Sequence, residues 1–428
     1  LHMKVSKRGL RVAAAVAAGA LTLGTLSGCA AGGNDSKTFT VWWYSGEDTG
    51  QYIAWSAALD EFKAAHPDVK VNFEFKTWEQ IEKSGNSILD SDKAPDLSEW
   101  NKGNGTAGAA SQAGLLTNLN DYAKQYGWDT SLPESAQQVG RYTDGLMGSG
   151  DLYGIPTYGE YVGWFYNADV LAANGIDATA LKSQADLEAA FAKLTAAGIT
   201  PIAAADYMLV HLAYNLTLNK ADNKWVNAYQ FFDGSVDFND AAFTQASEQI
   251  QSWTQKGYIP ASASGATADD AVAAFTSGTS PFMPGGTWLD GTVAKAATFK
   301  WGKILNPGNA VSTGSAGNIW VIPERSKNKD LAAEFINLTL QPKAQNMMAD
   351  NGGLPLLATE ESTNPTTQIT LPLFQQLVAD NGLGFYPDWP VSGYYDILKA
   401  AVIDLVAGNT TPAQYREAIG TYYNENKP

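Results

Sequence analysis

The sequence predicts an α/β protein built from two or more compact lobes, and three observations carry that expectation. At 428 residues the chain is too long for one ordinary hydrophobic core. Its opening reads strand, helix, strand, the seed of an α/β sheet. Strands then cluster in the first half and again near the middle, while the last helices have no strands of their own, so the chain crosses between lobes more than once.

Taken in order, residues 39–44 form an apolar strand. After a turn over 45–50, Trp55, Leu59 and Phe62 fall at helical spacing until His66-Pro67 ends the run. Val69, Val71, Phe73 and Phe75 alternate with Lys70, Asn72 and Glu74, the period of a half-buried strand. A short strand over 96–100 leads into a Gly-rich run, then 109–119 reads as helix and 120–142 as turn-rich chain. Residues 152–176 are the most informative stretch. A Gly-Ile-Pro turn opens a buried aromatic strand, Asn167 caps the helix that follows, and Asn174-Gly175 stops it. Beyond it come a helix carrying Leu187, Phe191 and Leu194, a short strand at 199–204, and helices at 208–218, 241–256 and 269–277. Strands return at 280–283 and 319–322, followed by helices at 331–340 and 343–350. A Pro- and Thr-rich connection then reaches the last helix pair, 394–407 and 411–423.

The N-terminus reads as a leader. Lys4, Lys7, Arg8 and Arg11 precede a short apolar core that ends in Leu26-Ser27-Gly28-Cys29. That ending resembles a bacterial lipobox, which implies cleavage before Cys29 and a lipid, palmitate among its chains, anchoring the protein outside the cytoplasmic membrane. Residues 1–28 are the signal peptide and 29–38 the tether. Loss of 1–28 removes four basic residues and leaves 24 Lys+Arg against 44 Asp+Glu, a formal charge of −20. Such a surface repels nucleic acid and anionic headgroups. The one Cys is taken by the lipid, so stability rests on packed cores rather than disulfides.

Few catalytic patterns are present. The three His are scattered, and no H-E-x-x-H, P-loop or G-x-S-x-G run occurs, so no metal and no cofactor is expected. Gly103, Gly105 and Gly108 fit the G-x-G-x-x-G spacing of a dinucleotide turn. The strand before them is short and carries Glu99, and a flexible lip loop is the preferred reading. Acids lie beside aromatics: Glu47 and Asp48 in the first turn, Glu160 among Tyr158, Tyr161 and Trp164, Asp290 after Trp288, and Asp388 before Trp389. Such pairs suit a carbohydrate cleft, as hydroxyl acceptors beside stacking rings or as the acid and base of a glycosidase. Trp288 stands among Gly285, Gly286 and Gly291, which favours a ring brought to a ligand.

Four blocks in constant order carry a family resemblance: 151–171 with Gly-Ile-Pro and Tyr-Asn-Ala-Asp, 275–288 with Gly-Gly-Thr-Trp, 320–356 ending in Gly-Gly-Leu-Pro-Leu, and 394–412 ending in Thr-Thr-Pro. Here the chain resembles the extracellular solute-binding proteins of ABC importers, in the carbohydrate-binding family that includes maltose-binding protein. The resemblance implies a two-lobed periplasmic-binding-protein-like fold (type II), α/β in each lobe, with a ligand cleft between lobes joined by crossover strands. Lobe 1 would take 39–154 and 312–342, lobe 2 would take 155–311 and 343–428, and Gly154 and Pro156 would lie at the hinge. By position, Glu47 and Asp48 fall in the family's first ligand loop, where maltodextrin binders have an acid and then a base. Trp100, Trp288 and Tyr395 match stacking positions, Glu160 a cleft carboxylate, and Tyr207 a looser position. Tyr44, Asn101, Asp290 and Tyr394 complete the expected ligand-binding set.

The function implied is a monomeric, lipid-anchored, non-enzymatic receptor that captures an oligosaccharide and delivers it to the membrane subunits of an ABC permease. Two alternatives stand beside it: the same fold binding a polyamine, peptide or compatible solute, and a secreted glycosidase.

Overall fold

The first sheet grows from strand Lys37–Trp43, which pairs in parallel with Val69–Phe75 from Lys37↔Val69 to Trp43↔Phe75. On its other side Leu97–Trp100 adds in parallel at Val41↔Leu97 and Trp42↔Ser98. Ile319–Val321 then pairs antiparallel with Leu97–Trp100, and Ile155–Pro156 closes that edge. In this computed structural model the described residues are Lys37–Lys427, so the leader, Cys29 and tether residues up to Ser36 lie outside them.

Parallel neighbours need crossover helices, and Gly50–Ala65 and Trp78–Leu89 supply them. Thr49 caps the first of these, its hydroxyl accepting from the Tyr52 amide. Side chains alternate across the pleat, so Phe39, Val41 and Trp43 meet Trp55, Leu59, Phe62, Trp320 and Phe335 on one face. Trp42 and Trp100 turn to the other face and join the larger second core. Pro342–Asp350 also packs on this first body, with Met348 buried in its core and the backbone of Gly353 against Gly50.

The second sheet centres on Gly159–Asn167, where every residue but Tyr166 is buried. Phe282–Gly286, Trp301–Ile304 and Gly314–Ala316 all pair antiparallel with it. Trp164 and Phe165 pack there with Phe191, Trp253, Phe275 and Phe282. Asn167 ends the strand and caps helix Ala168–Ala173, its Oδ1 accepting from the Asp169 and Val170 amides at 3.1 Å. The chain thus leaves the first sheet at Ile155–Pro156 and enters the second three residues later.

Several local expectations are corrected. Helix over 109–119 shrinks to Ala109–Gln112, because a π-helical turn at Asn104–Gly108 precedes it and Gly114 reverses the chain at φ +70°. The expected strand at 199–204 is a single bridge, Ile202 to Phe282. The strand expected at 280–283 is Phe282–Gly286, so two glycines lie inside a ladder. The Pro- and Thr-rich connection contains the helix Pro365–Ala379, begun by the Asn364 cap in spite of Pro372. A further helix, Asn223–Phe231, went unanticipated. The Gly103–Gly108 turn is packed rather than a free lip. A Cβ on Gly105 would lie 2.7 Å from the Ser392 Cα, and one on Gly103 2.8 Å from the Trp389 side chain.

Candidate functional site

In open α/β sheets, ligands bind beyond the carboxyl ends of the strands. Here those ends deliver Tyr44 after Lys37–Trp43, and Asn101 and Lys102 after Leu97–Trp100. Glu99 anchors this edge. Its Oε2 accepts from the Tyr44 and Ser45 amides at 2.8 Å. Its Oε1 accepts from Ser45 Oγ (2.8 Å), Tyr158 OH (3.3 Å) and Asn318 Nδ2 (3.2 Å). Burial pushes this carboxyl up while the hydrogen bonds favour the anion. Glu99 therefore shapes the first turn and has no oxygen left idle.

Lys102 is the cation of the site. Its side chain is 1% exposed, and its Nζ donates to Glu160 Oε1 at 2.5 Å and Asn318 Oδ1 at 2.9 Å. The ammonium also lies 5.1 Å from the Trp389 ring centroid and 5.6 Å from that of Tyr386. Burial pulls the Lys102 pKa down and the Glu160 charge opposes it. This pair joins the end of the first sheet to the beginning of the second, since Glu160 lies in strand Gly159–Asn167. Around it stand two more acids. Burial and the nearby Asp388 push Glu82 up to about 7, against one bond from Asn101 Nδ2 at 3.3 Å. Burial pushes Asp388 up to about 6.

An aromatic wall flanks these charges. Trp288 donates from Nε1 to Tyr207 OH at 3.2 Å and sits edge-on to His211, with ring centroids 5.5 Å apart. Tyr386 lies 5.6 Å from His211 and 6.3 Å from Trp288. Gly286 is obligatory for this arrangement, because a Cβ there would fall 2.1 Å from the Trp288 ring. Burial holds His211 neutral, its pKa lowered to about 4, and its Nδ1 has no partner among the described residues. Opposite, Trp78 and Tyr395 meet edge to face at 5.1 Å.

The expected residues divide into three groups. Tyr44, Asn101, Glu160, Tyr207, Trp288 and Tyr395 gather around the Lys102–Glu160 pair and the aromatic wall. Glu47 and Asp48 are exposed at the rim, and Asp48 Oδ2 accepts from Thr292 Oγ1 at 2.6 Å. Trp100, Asp290 and Tyr394 sit deeper. Trp100 is 2% exposed within the second core. Tyr394 is fully buried, donating to the Ile419 carbonyl at 3.0 Å and stacking on Tyr422. Asp290 forms a buried ion pair with Lys303 at 2.9 Å, and burial pushes it up to about 6. Lys303 lies opposite Phe165 in register and 4.9 Å from the Tyr161 ring, which places the pair on the sheet face opposite Glu160. Gly154 abuts Ile319, where a Cβ would come within 2.4 Å of that side chain, and Pro156 pairs with Ile319 in register.

Lys102, Glu82, Trp78, Tyr386 and His211 escaped the sequence reading, and Asp388 and Trp389 were seen only as an acid beside an aromatic. One signal was available for Lys102: a carboxylate inside an aromatic run needs a partner, and a lysine two residues after a matched Trp can reach one.

Strand ends of one sheet meet charges and aromatics carried by the other here, within the two-lobed α/β fold of solute-binding proteins. The chain belongs to the family of bacterial extracellular solute-binding proteins, which it matches over residues 57–370. That family is one of binding proteins and is extracytoplasmic. Among the described residues no helix is long and apolar enough to cross a membrane. Solved structures share the fold. A chitin oligosaccharide binding protein superposes with a TM-score of 0.77 at 19% identity, over 92% of this chain and 99% of that one. The GacH receptor of Streptomyces glaucescens gives 0.72 at 21% identity, over 91% and 98%. RafE, solved with raffinose, gives 0.71 at 15% identity, over 91% and 99%. A search of curated proteins found no match.

Proposed function

We propose that the protein is a receptor that captures an oligosaccharide outside the cytoplasmic membrane and passes it to an ABC permease. The observation that carries this reading is the juxtaposition of the Lys102–Glu160 pair with the Trp288–Tyr207–Tyr386 wall. Sugars present apolar C–H faces to rings and hydroxyls to fixed acceptors, and charged acceptors make the stronger bonds. Proteins of this fold that bind chitin oligosaccharide and raffinose support the substrate class. Trp288 and Tyr395 would stack, with Tyr207, Tyr44 and Asn101 beside them, and Glu160 would offer its second oxygen. Glu47 and Asp48 would close over the rim, and Trp100, Asp290 and Tyr394 would support the cleft from behind.

The proposal includes a lipid on Cys29, action as a monomer, and lobes of 39–154 with 312–342 and 155–311 with 343–428. Ile155–Pro156 pairs with Ile319 and Trp320 at the edge of the first sheet, and Met348 of Pro342–Asp350 is buried in the first core. Gly154 and Pro156 would then bend as the lobes close on sugar. Titrating the full chain by calorimetry against linear and branched oligosaccharides should give saturable binding that Trp288→Ala weakens. X-ray scattering should show a smaller radius of gyration with the bound sugar. No heat from any sugar defeats the reading, and binding without a change in scattering defeats the hinge.

A further inference from the structure

The Gly103–Gly108 turn reaches from the first body into the second, and Asn104 is the residue that spans the two. Its side-chain Oδ1 accepts from the Met147 amide at 2.8 Å. Its Nδ2 donates to the Gln230 carbonyl at 3.2 Å and to the Pro390 carbonyl at 3.1 Å, and its backbone amide donates to the Trp389 carbonyl at 2.9 Å. An amide N–H can only donate and a carbonyl can only accept, so these partners fix which way the Asn104 side chain faces. The oxygen end stays within the first body. Strand Leu146–Met147 pairs with Arg141–Thr143, which pairs with Asp151–Leu152, and Leu152 is buried in the first core. The nitrogen end reaches helix Asn223–Phe231 and the segment that carries Tyr386 and Trp389. That segment is fastened to the second body at three carbonyls. Gly384 accepts from Tyr214 OH, Tyr386 from Gln230 Nε2 and Pro387 from Tyr229 OH, each at 2.7 Å. Tyr214 lies on helix Tyr207–Leu218, which bonds the second sheet through Asn215 Nδ2 and the Val162 carbonyl at 3.4 Å. Since the Tyr386 and Trp389 rings flank the Lys102 ammonium, Asn104 grips from the first body a segment that places two rings of the site. The approach is close enough to need glycine on both sides of Asn104, where a Cβ would press on Trp389 or Ser392. A smaller contact of the same kind stands at the rim. There Thr292 Oγ1 donates to Asp48 Oδ2 at 2.6 Å, and a Cβ on Gly291 would overlap the Asp48 carbonyl oxygen.

We propose that Asn104 is a positioning residue that clasps the two lobes, holding the Tyr386–Trp389 segment against the Lys102–Glu160 pair and so setting how long a bound solute stays. This rests on the two-lobed receptor reading and adds the contact that must part before the cleft opens. Two variants of the full chain separate the ends of the side chain. Asn104→Asp keeps an oxygen for the Met147 amide but turns a second oxygen on the Gln230 and Pro390 carbonyls, whereas Asn104→Ala loses every side-chain bond. Hydrogen exchange on the free protein should quicken roughly tenfold or more over 384–392 in both variants. The peptide holding Met147 should quicken only in Asn104→Ala, and its protection in Asn104→Asp shows that this variant is folded. Stopped-flow release of raffinose or chitotriose, whichever the parent binds, should be roughly tenfold faster from Asn104→Asp, with association within about threefold. Parental exchange over 384–392 in Asn104→Asp makes the residue a prop of the first body alone and overturns the clasp. Faster exchange with unchanged release overturns it as well, because the contact then does not hold the solute. If the parent binds neither sugar, the sugar reading fails for both, and the exchange over 384–392 still upholds or overturns the clasp.

Discussion

Removing the Lys102 ammonium should destabilise the protein more than any exposed charge could. Lys102→Met keeps most of the apolar stem but leaves Glu160, 7% exposed, without its cation. Breaking one side of a buried pair typically costs about 3–5 kcal/mol, because the remaining charge stays buried and uncompensated. Here Asn318 Oδ1 also loses its donor, and Glu99 and Asp388 remain close by to repel the orphan. At about 2.1 cal/mol/K per residue, the melting entropy over Lys37–Lys427 is about 0.8 kcal/mol/K, so the expected fall in Tm is roughly 4–6 °C. Scanning calorimetry reads this directly, and Lys102→Met/Glu160→Gln should recover more than half of it, since removing both charges removes the orphan. A single variant that melts within about 1 °C of the parent would refute the reasoning. So would a double variant no more stable than the single.

Two further outcomes follow from the aromatic wall. Gly286→Ala should displace the Trp288 ring that a Cβ would strike at 2.1 Å. Ligand affinity should fall roughly tenfold, with a shift in tryptophan emission, and an unchanged affinity would remove Trp288 from the site. His211 has a folded pKa lowered by burial to about 4, below its unfolded value, so the unfolded chain binds more protons between those limits and stability falls as pH drops from about 6.5 to about 4. Urea denaturation across that window should show a loss on the order of 3 kcal/mol that His211→Phe removes, and identical pH profiles for the two proteins would contradict a buried neutral imidazole.

The fold was legible where periodicity is local. The alternation of Val69 to Phe75, the helical spacing of Trp55, Leu59 and Phe62, and the Asn167 cap are all found where the sequence put them. The helix Pro365–Ala379 was hidden because Pro372 and three threonines argue for loop, and only packing of Phe374 and Leu377 against Tyr161 and Leu354 overrides them. The site was legible by residue type and less so by direction. Nothing in a sequence says which face of a pleat another element will cover, so Trp100 could not be told from a surface ring. Nor could Asp290 be assigned to the face opposite Glu160, since that depends on Lys303 pairing with Phe165. Lys102 and Glu160 are 58 residues apart, and their meeting is a product of the crossover at Ile155–Pro156.

The same network holds several of the site's carboxylates as fixed acceptors. Glu99 is bound by five donors, Glu160 is tied to Lys102, and Asp290 is paired on the far face of the sheet. These oxygens are fixed acceptors, and fixed acceptors add affinity because little ordering remains to be done when a ligand arrives. The placement of Glu160 adds a second consequence. It belongs to the second sheet and its partner Lys102 to the end of the first, so a ligand bonded to that carboxylate and to Asn101 touches both bodies at once. Such a ligand would favour the arrangement in which the two sheets stand this close.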